Sequence, residues 1–196
     1  MNKILDQIVR TKIKEVEQLK ERYTFKNFEE MPGFGLPKRS LKKALEGSSF
    51  GVIAEIKRKS PSAGVIKNCI VYSEMAKEYE TCGATAISCL TDRNYFGGSF
   101  EDLEQARMAV DLPVLRKDFI IDEYQLLETK AMGADVVLLI SEILSREQII
   151  QFSVMAQSLG LEVLLEFHGK DQLNKLTDLV DVIGVNNRNL QIQKTD

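Results

Sequence analysis

An α/β fold built on a parallel sheet is predicted from residue 50 onward, and three observations predict it. Short apolar runs rich in β-branched residues alternate with amphipathic stretches. The runs are apolar almost throughout, as strands covered on both faces are. Successive runs are spaced to leave room for one crossover helix each, which makes neighbouring strands parallel and their connections right-handed.

The elements follow in order. Residues 2–22 read as one amphipathic helix, with Ile4, Leu5, Ile8, Val9, Ile13, Val16 and Leu19 at three- and four-residue steps. Pro32, Gly33, Gly35 and Pro37 mark a loop. Ser40 caps a short helix over Leu41–Glu46, which Gly47 closes. Strands are expected at 51–57, 84–90, 113–117, 135–140, 161–166 and 182–186, and helices at 72–81, 99–109, 122–132, 145–159 and 170–179. Gly83, Gly133 and Gly160 stand where helices end. Ser99 opens S-F-E-D, close to a capping box, and Asp122 can cap the next helix.

The whole reads as one domain over residues 1–196, with 1–47 as a helical extension. Two architectures fit: an open doubly wound sheet and a (β/α)8 barrel. A doubly wound nucleotide-binding sheet usually places a glycine-rich turn after its first strand. Here that turn is K-S-P-S-A-G, and there is no Walker A sequence.

Bulk properties exclude several classes. Apolar content is 44% and charged content 28%, an ordinary globular balance. A net charge of −3 gives no pull toward nucleic acid or anionic membrane. The N-terminal M-N-K-I-L-D-Q-I-V-R carries charges too often for a secretory h-region. No run reaches the ~18 apolar residues of a membrane span. Cys69, Cys82 and Cys89 are odd in number and form no C-x-x-C, which reads as reduced thiols in a cytoplasm. His168 is the single histidine, so no His-rich metal site is expected, and these four residues read as structural.

The informative feature is polarity at one end of the strands. The first strand runs into Glu55 and Lys57, the third into Arg116, Lys117 and Asp118, the fifth into Glu166, and the sixth into Asn186, Asn187 and Arg188. Residues two apart on a strand share a face, so Glu55 points with Lys57, and Asn186 with Arg188. A single charged strand end is ordinary solvation. Charge at the same end of four strands out of six converges on the place where barrel enzymes do their chemistry. Arg58 is expected to be solvated, and Lys59 either faces inward with Lys57 or lies past the strand's end.

Five motifs, E-I-K-R-K-S-P-S, D-R-N-Y-F-G-G-S, L-R-K-D-F, L-L-E-F-H and I-G-V-N-N-R-N-L, occur in the order found in indole-3-glycerol-phosphate synthase, and the chain closely resembles that family over its whole length. The resemblance implies a TIM (β/α)8 barrel, present here as about six βα units behind extra N-terminal helices. It implies a cytoplasmic carboxy-lyase of tryptophan biosynthesis that needs no cofactor or metal. Its substrate would be a small phosphosugar-anthranilate, 1-(2-carboxyphenylamino)-1-deoxyribulose 5-phosphate, converted to indole-3-glycerol phosphate with loss of CO2 and water.

Matched motif by motif, Lys117 takes the general-acid position and Glu166 the general-base position. Lys57, with Glu55 beside it, binds phosphate and shares in proton transfer. Asn186 and Arg188 orient the substrate and the departing hydroxyl. Ser60 offers a hydroxyl to the anthranilate carboxylate, and Phe96 and Phe119 wall the aromatic ring. Family members continue through two more βα units, so the chain is expected to be part of a longer barrel. Alone it should be nearly inactive and prone to self-association through open sheet edges. The rival readings are an inactive barrel fragment and a different phosphosugar barrel, such as phosphoribosylanthranilate isomerase. The isomerase would carry a cysteine at the start of strand one, whereas Cys89 lies inside strand two.

Overall fold

The computed structural model describes residues 3–67, 69–189, 194 and 195. Strands β1 (Ile53–Ile56), β2 (Ala86–Leu90), β3 (Val114–Lys117), β4 (Val136–Ile140), β5 (Glu162–Phe167) and β6 (Val182–Val185) form one sheet. Each strand pairs in parallel with the next one in sequence. That order decides between the two architectures. A doubly wound sheet reverses its strand order at a switch point and carries helices on both faces. An unbroken order keeps every right-handed crossover on one side, leaving the other face to curl into a barrel interior.

The crossover helices are α4 (Tyr72–Thr81), α6 (Phe100–Ala109), α7 (Glu123–Ala131) and α8 (Arg146–Ser158). Gly83, Gly133 and Gly160 follow three of them at φ 87°, 79° and 73°, the left-handed turn that glycine adopts without strain. Ser99 and Asp122 cap α6 and α7, the latter in a full capping box with Gln125.

Alternation sorts the strand residues into two layers. Ile56, Ile87, Cys89 and Val114 pack outward against Tyr72, Ala76 and Leu103. Val137, Leu139, Val163 and Leu165 pack outward against Leu126, Ile149 and Phe152. The opposite set, from Ile53 and Ala86 through Leu115, Val136, Leu138 and Leu164 to Val182, belongs to one inner cluster. A flat sheet would hold β1 and β6 about 24 Å apart. Curling brings both onto that cluster. Among the described residues β1 and β6 are each paired on one side only, and Ile183 and Val185 of β6 are exposed. These are the open edges from which self-association is expected.

The N-terminal extension touches both ends of the curl. Helix α1 (Lys3–Arg22) lies at the strands' C-terminal end, where Ile8 joins the inner cluster. Helix α3 (Leu41–Glu46) closes the other end, with Leu41 fully buried. Ser40 caps α3 and also bonds to Glu162 at the start of β5, which Lys42 N–H reaches at 3.0 Å.

Two expectations need correction. Residues 23–40 are not all loop: Thr24 and Asn27 form a capping box on a further helix, α2 (Phe25–Glu29), and Pro32–Gly35 makes a 3-10 turn. Phe28 of α2 is buried against Leu127 and Ala131 of α7. The helix expected over 170–179 is only a 3-10 segment, Lys170–Lys175. Gly169 gives it no side-chain cap, and Leu173 stays exposed, so no apolar stripe holds a longer helix down.

Lys38, between these elements, donates to Ala134 O beside Lys130, Arg107 and Asp135. Burial, with the neighbouring Lys130 charge, pushes its amine down to about 7. The unfolded amine titrates near 10.4. Between those values the unfolded chain binds the extra proton, so stability rises with pH over that window and is lost as pH falls through about 7. Lys38→Met should flatten this slope in thermal melts taken from about pH 6 to about pH 9.5. An unchanged slope would assign it to another group.

Candidate active site

Parity places the polar residues. In β1 the inner position Ile53 is followed on the same face by Glu55, and then by Lys57 just past the strand. In β3, Leu115 precedes Lys117, and in β5, Leu164 precedes Glu166. Val182 of β6 puts Asn186 on the inner face two steps of two residues later. All of them therefore gather at the C-terminal mouth above the apolar inner cluster.

Within the mouth, Lys117 Nζ lies 3.2 Å from Glu166 Oε2, a contact that spans β4. Asn186 Nδ2 donates to Glu166 Oε1 at 2.9 Å, so the carboxylate is held on both oxygens. His168 Nδ1 lies 2.6 Å from Asn186 O and fixes that backbone, in keeping with its structural reading. Lys57 pairs with Glu55. The register links this pair to Lys117: Ile56 pairs Cys89, so Lys57 falls level with Leu90, and Leu90 pairs Lys117. Phe96 and Phe119 meet with ring centroids 6.1 Å apart and pack on the inner cluster. Ser60 is buried in a small hairpin after β1, where its Oγ accepts from Ala63 N–H. The Arg188 side chain lies outside the described residues.

The structure separates residues that sit together in sequence. Arg116 points away from Lys117, is buried in the outer layer, and donates to Asp118, Glu128 and Thr129. Arg58 is not solvated as expected. It forms a two-pronged pair with Asp102 and stacks 4.6 Å from the Tyr72 ring centre. Both partners lie on outer helices, so Arg58 ties the turn after β1 to α4 and α6. Lys59 has left the strand and donates to Asn94 O. Cys89 lies in the outer core, and burial pushes its thiol well above the ordinary range.

Three groups at the mouth were not foreseen: Lys12, Asp92 and Glu142. Asp92 and Asp118, just past β2 and β3, grip the amine of Lys12 from α1. Glu142, in the turn after β4, has a buried oxygen with no hydrogen-bond partner among the described residues, and burial raises its carboxyl. Lys12 falls at the four-residue step between Ile8 and Val16, on the buried stripe of α1, and that spacing is the signal that could have found it.

A cleft of about 620 Å³ lies elsewhere, between α1, α2 and the outer helices, lined by Lys12, Glu15, Arg93, Arg116, Asp118 and Glu128. Its charges are largely paired among themselves, and neither Lys117 nor Glu166 faces it.

Comparison with known proteins fits this geometry. A family model described as indole-3-glycerol phosphate synthase matches residues 5–196. A protein of that name from Bacteroides thetaiotaomicron is 45% identical over 196 residues, covering 100% of this chain and 75% of the relative. The one from Neisseria meningitidis serogroup B is 45% identical, covering 97% and 75%. The one from Leptospira interrogans is 43% identical, covering 96% and 72%. The chain thus spans about three quarters of the length of these relatives. Among solved structures, a mandelate oxidase superposes with a TM-score of 0.51 at 17% identity over 76% of this chain and 53% of that one, a likeness of fold alone.

Proposed function

Because this chain belongs to the indole-3-glycerol phosphate synthase family, TIM-barrel lyases of tryptophan biosynthesis, we propose that Lys117 is its general acid and Glu166 its general base. The family's decarboxylating, dehydrating ring closure converts 1-(2-carboxyphenylamino)-1-deoxyribulose 5-phosphate to indole-3-glycerol phosphate. The ring carbon bearing the carboxylate attacks the ketone carbon, and the ketone oxygen gathers negative charge. The Lys117 ammonium donates a proton to it. CO2 then leaves, and its bonding electrons return to the ring. The new hydroxyl takes a second proton, from Lys57, and departs as water, while Glu166 takes the proton whose loss completes the indole.

The observation that carries this reading is the 3.2 Å contact between Lys117 and Glu166 across β4. It puts an acid and a base within reach of one bicyclic intermediate. The other residues support it. Asn186 holds the second oxygen of Glu166 and, with Arg188, orients the departing hydroxyl. Lys57, balanced by Glu55, is a cation for the phosphate and a second proton source. Ser60 is available to the substrate carboxylate. Phe96 and Phe119 form an apolar wall, and a carboxylate seated there loses hydration, which favours release of CO2. The free thiols of Cys69, Cys82 and Cys89 suit a cytoplasmic location, and no helix of the described residues is long and apolar enough to cross a membrane.

Glu166→Gln, made in a protein extended to the full length of the relatives, tests the assignment. The amide keeps the shape and a contact for Asn186 but cannot take a proton. It should lower kcat by about 10²–10⁴ with KM changed far less. Steady-state formation of indole-3-glycerol phosphate measures both. An unchanged kcat with a raised KM would make Glu166 a binding residue.

A further inference from the structure

Among the described side chains of helix α1, Lys12 is the most enclosed cation, only 3% exposed, on the buried stripe between Ile8 and Val16. Its Nζ lies 2.9 Å from Asp92, 2.9 Å from Asp118 and 2.7 Å from Glu15. Burial opposes its charge, but Asp118, Asp92 and Glu15 together hold the amine protonated. Each of the two strand-end carboxylates does a second job. Asp92 Oδ1 accepts from Tyr95 N–H at 2.6 Å and from Phe96 N–H at 3.2 Å. Asp118 Oδ1 accepts from Phe119 N–H at 2.8 Å, and its other oxygen accepts from Thr91 and Arg116. The backbones of Phe96 and Phe119 are therefore fixed by the two carboxylates that Lys12 bridges. Asp118 is also the residue after Lys117. The same helix adds a hydrogen bond between Thr11 Oγ1 and Tyr95 OH at 3.0 Å and places Ile8 in the cluster that contains Phe119.

We infer that Lys12 is a positioning residue for ring closure: by drawing Asp92 and Asp118 together from α1, it sets the spacing of the Phe96–Phe119 wall and the aim of Lys117. The inference rests on the roles proposed for those three residues. Its physical basis is charge compensation at a shared point. Without the ammonium, two buried carboxylates face each other, and each would seek water or separate. The loops after β2 and β3 would move apart and carry the wall with them. Displacement of about 1 Å in a reacting assembly can lower rate about 10²-fold.

The test compares Lys12→Met, Lys12→Arg and Lys117→Met, in a protein extended to the full length of the relatives, by kcat, KM and thermal midpoint. Lys12→Arg keeps the charge but puts a wide fork where a compact amine bridges two carboxylates. It should stay folded, with its midpoint near the parent's, and lose about 10- to 100-fold in kcat. Lys12→Met should lose at least as much. If Lys12→Met does not fold, Lys12→Arg decides alone. A folded Lys12→Arg with kcat within twofold of the parent would overturn the inference, because charge balance alone would then suffice. So would a loss of rate that merely follows the unfolded fraction. The Lys117→Met arm separates the two levels of argument. If it retains activity, the reading of the site has failed. If it is inactive while the Lys12 variants are normal, only the role of Lys12 has failed.

Discussion

In a protein extended to the full length of the relatives, Lys117→Met should lower kcat for ring closure by about 10²–10⁴ and leave the fold standing. Methionine keeps the unbranched apolar stem that leads up to the mouth and removes only the proton donor. The amine that is lost pairs with Glu166, and Glu166 keeps its hydrogen bond from Asn186, so no carboxylate is stranded. Lys117 is also partly exposed, and ion pairs of that kind contribute about 0–1 kcal/mol to stability. Catalysis and stability should therefore separate cleanly. Product formation followed at saturating substrate, beside a thermal melt, measures both. Parent-like kcat would remove Lys117 from the mechanism. A collapse of the melt would show the pair to be structural.

That separation reflects what a strand sequence can and cannot reveal. Alternation is local, so Glu55 with Lys57, and Asn186 with Arg188, fall on a common face from the sequence alone. The apolar runs identified all six sheet strands for the same reason. Choosing a barrel over a doubly wound sheet needed strand order, which periodicity does not encode. The hidden parts are those whose partners lie far along the chain. Lys12 stands between Ile8 and Val16 on the apolar stripe of α1, but its partners Asp92 and Asp118 lie eighty and more residues away and cannot be read from that spacing. Arg58 reads as solvated until Asp102 and Tyr72 arrive from two other elements. Arg116 and Lys117 are chemically alike and adjacent, and only the face of β3 tells the structural cation from the catalytic candidate. Helix α2 was missed because Pro32, Gly33 and Gly35 suggested a loop, whereas the Thr24–Asn27 cap lies just before them.

The largest loss of stability is expected from Asp135→Ala, at the opposite end of the barrel from the chemistry. Asp135 is fully buried between α7 and β4. Its Oδ1 accepts from Arg39 N–H at 2.8 Å, and its Oδ2 accepts from Val114 N–H at 2.9 Å. Arg107 lies 3.1 Å away, itself only 3% exposed. One carboxylate thus joins the segment before α3, the start of β3 and a cation on α6. Burial pushes its carboxyl up, yet the two backbone donors and Arg107 favour the charged form. Removing it leaves a buried guanidinium uncompensated, a change that typically costs about 3–5 kcal/mol. Two N–H groups are orphaned as well, at about 1–3 kcal/mol each where water cannot reach them. Such a sum is comparable with the whole stability of a domain of this size, roughly 5–15 kcal/mol. A second variant identifies the dominant cause. Replacing an ion pair by apolar residues of similar volume is often neutral, so Arg107→Met with Asp135→Leu should recover most of the loss if charge compensation dominates. Recovery should be only partial, because Arg39 N–H and Val114 N–H still lose their acceptor. Denaturant midpoints of the parent, Asp135→Ala and the double variant decide. A double variant as stable as the parent would show the ion pair, not the backbone clamp, to be what the carboxylate is for.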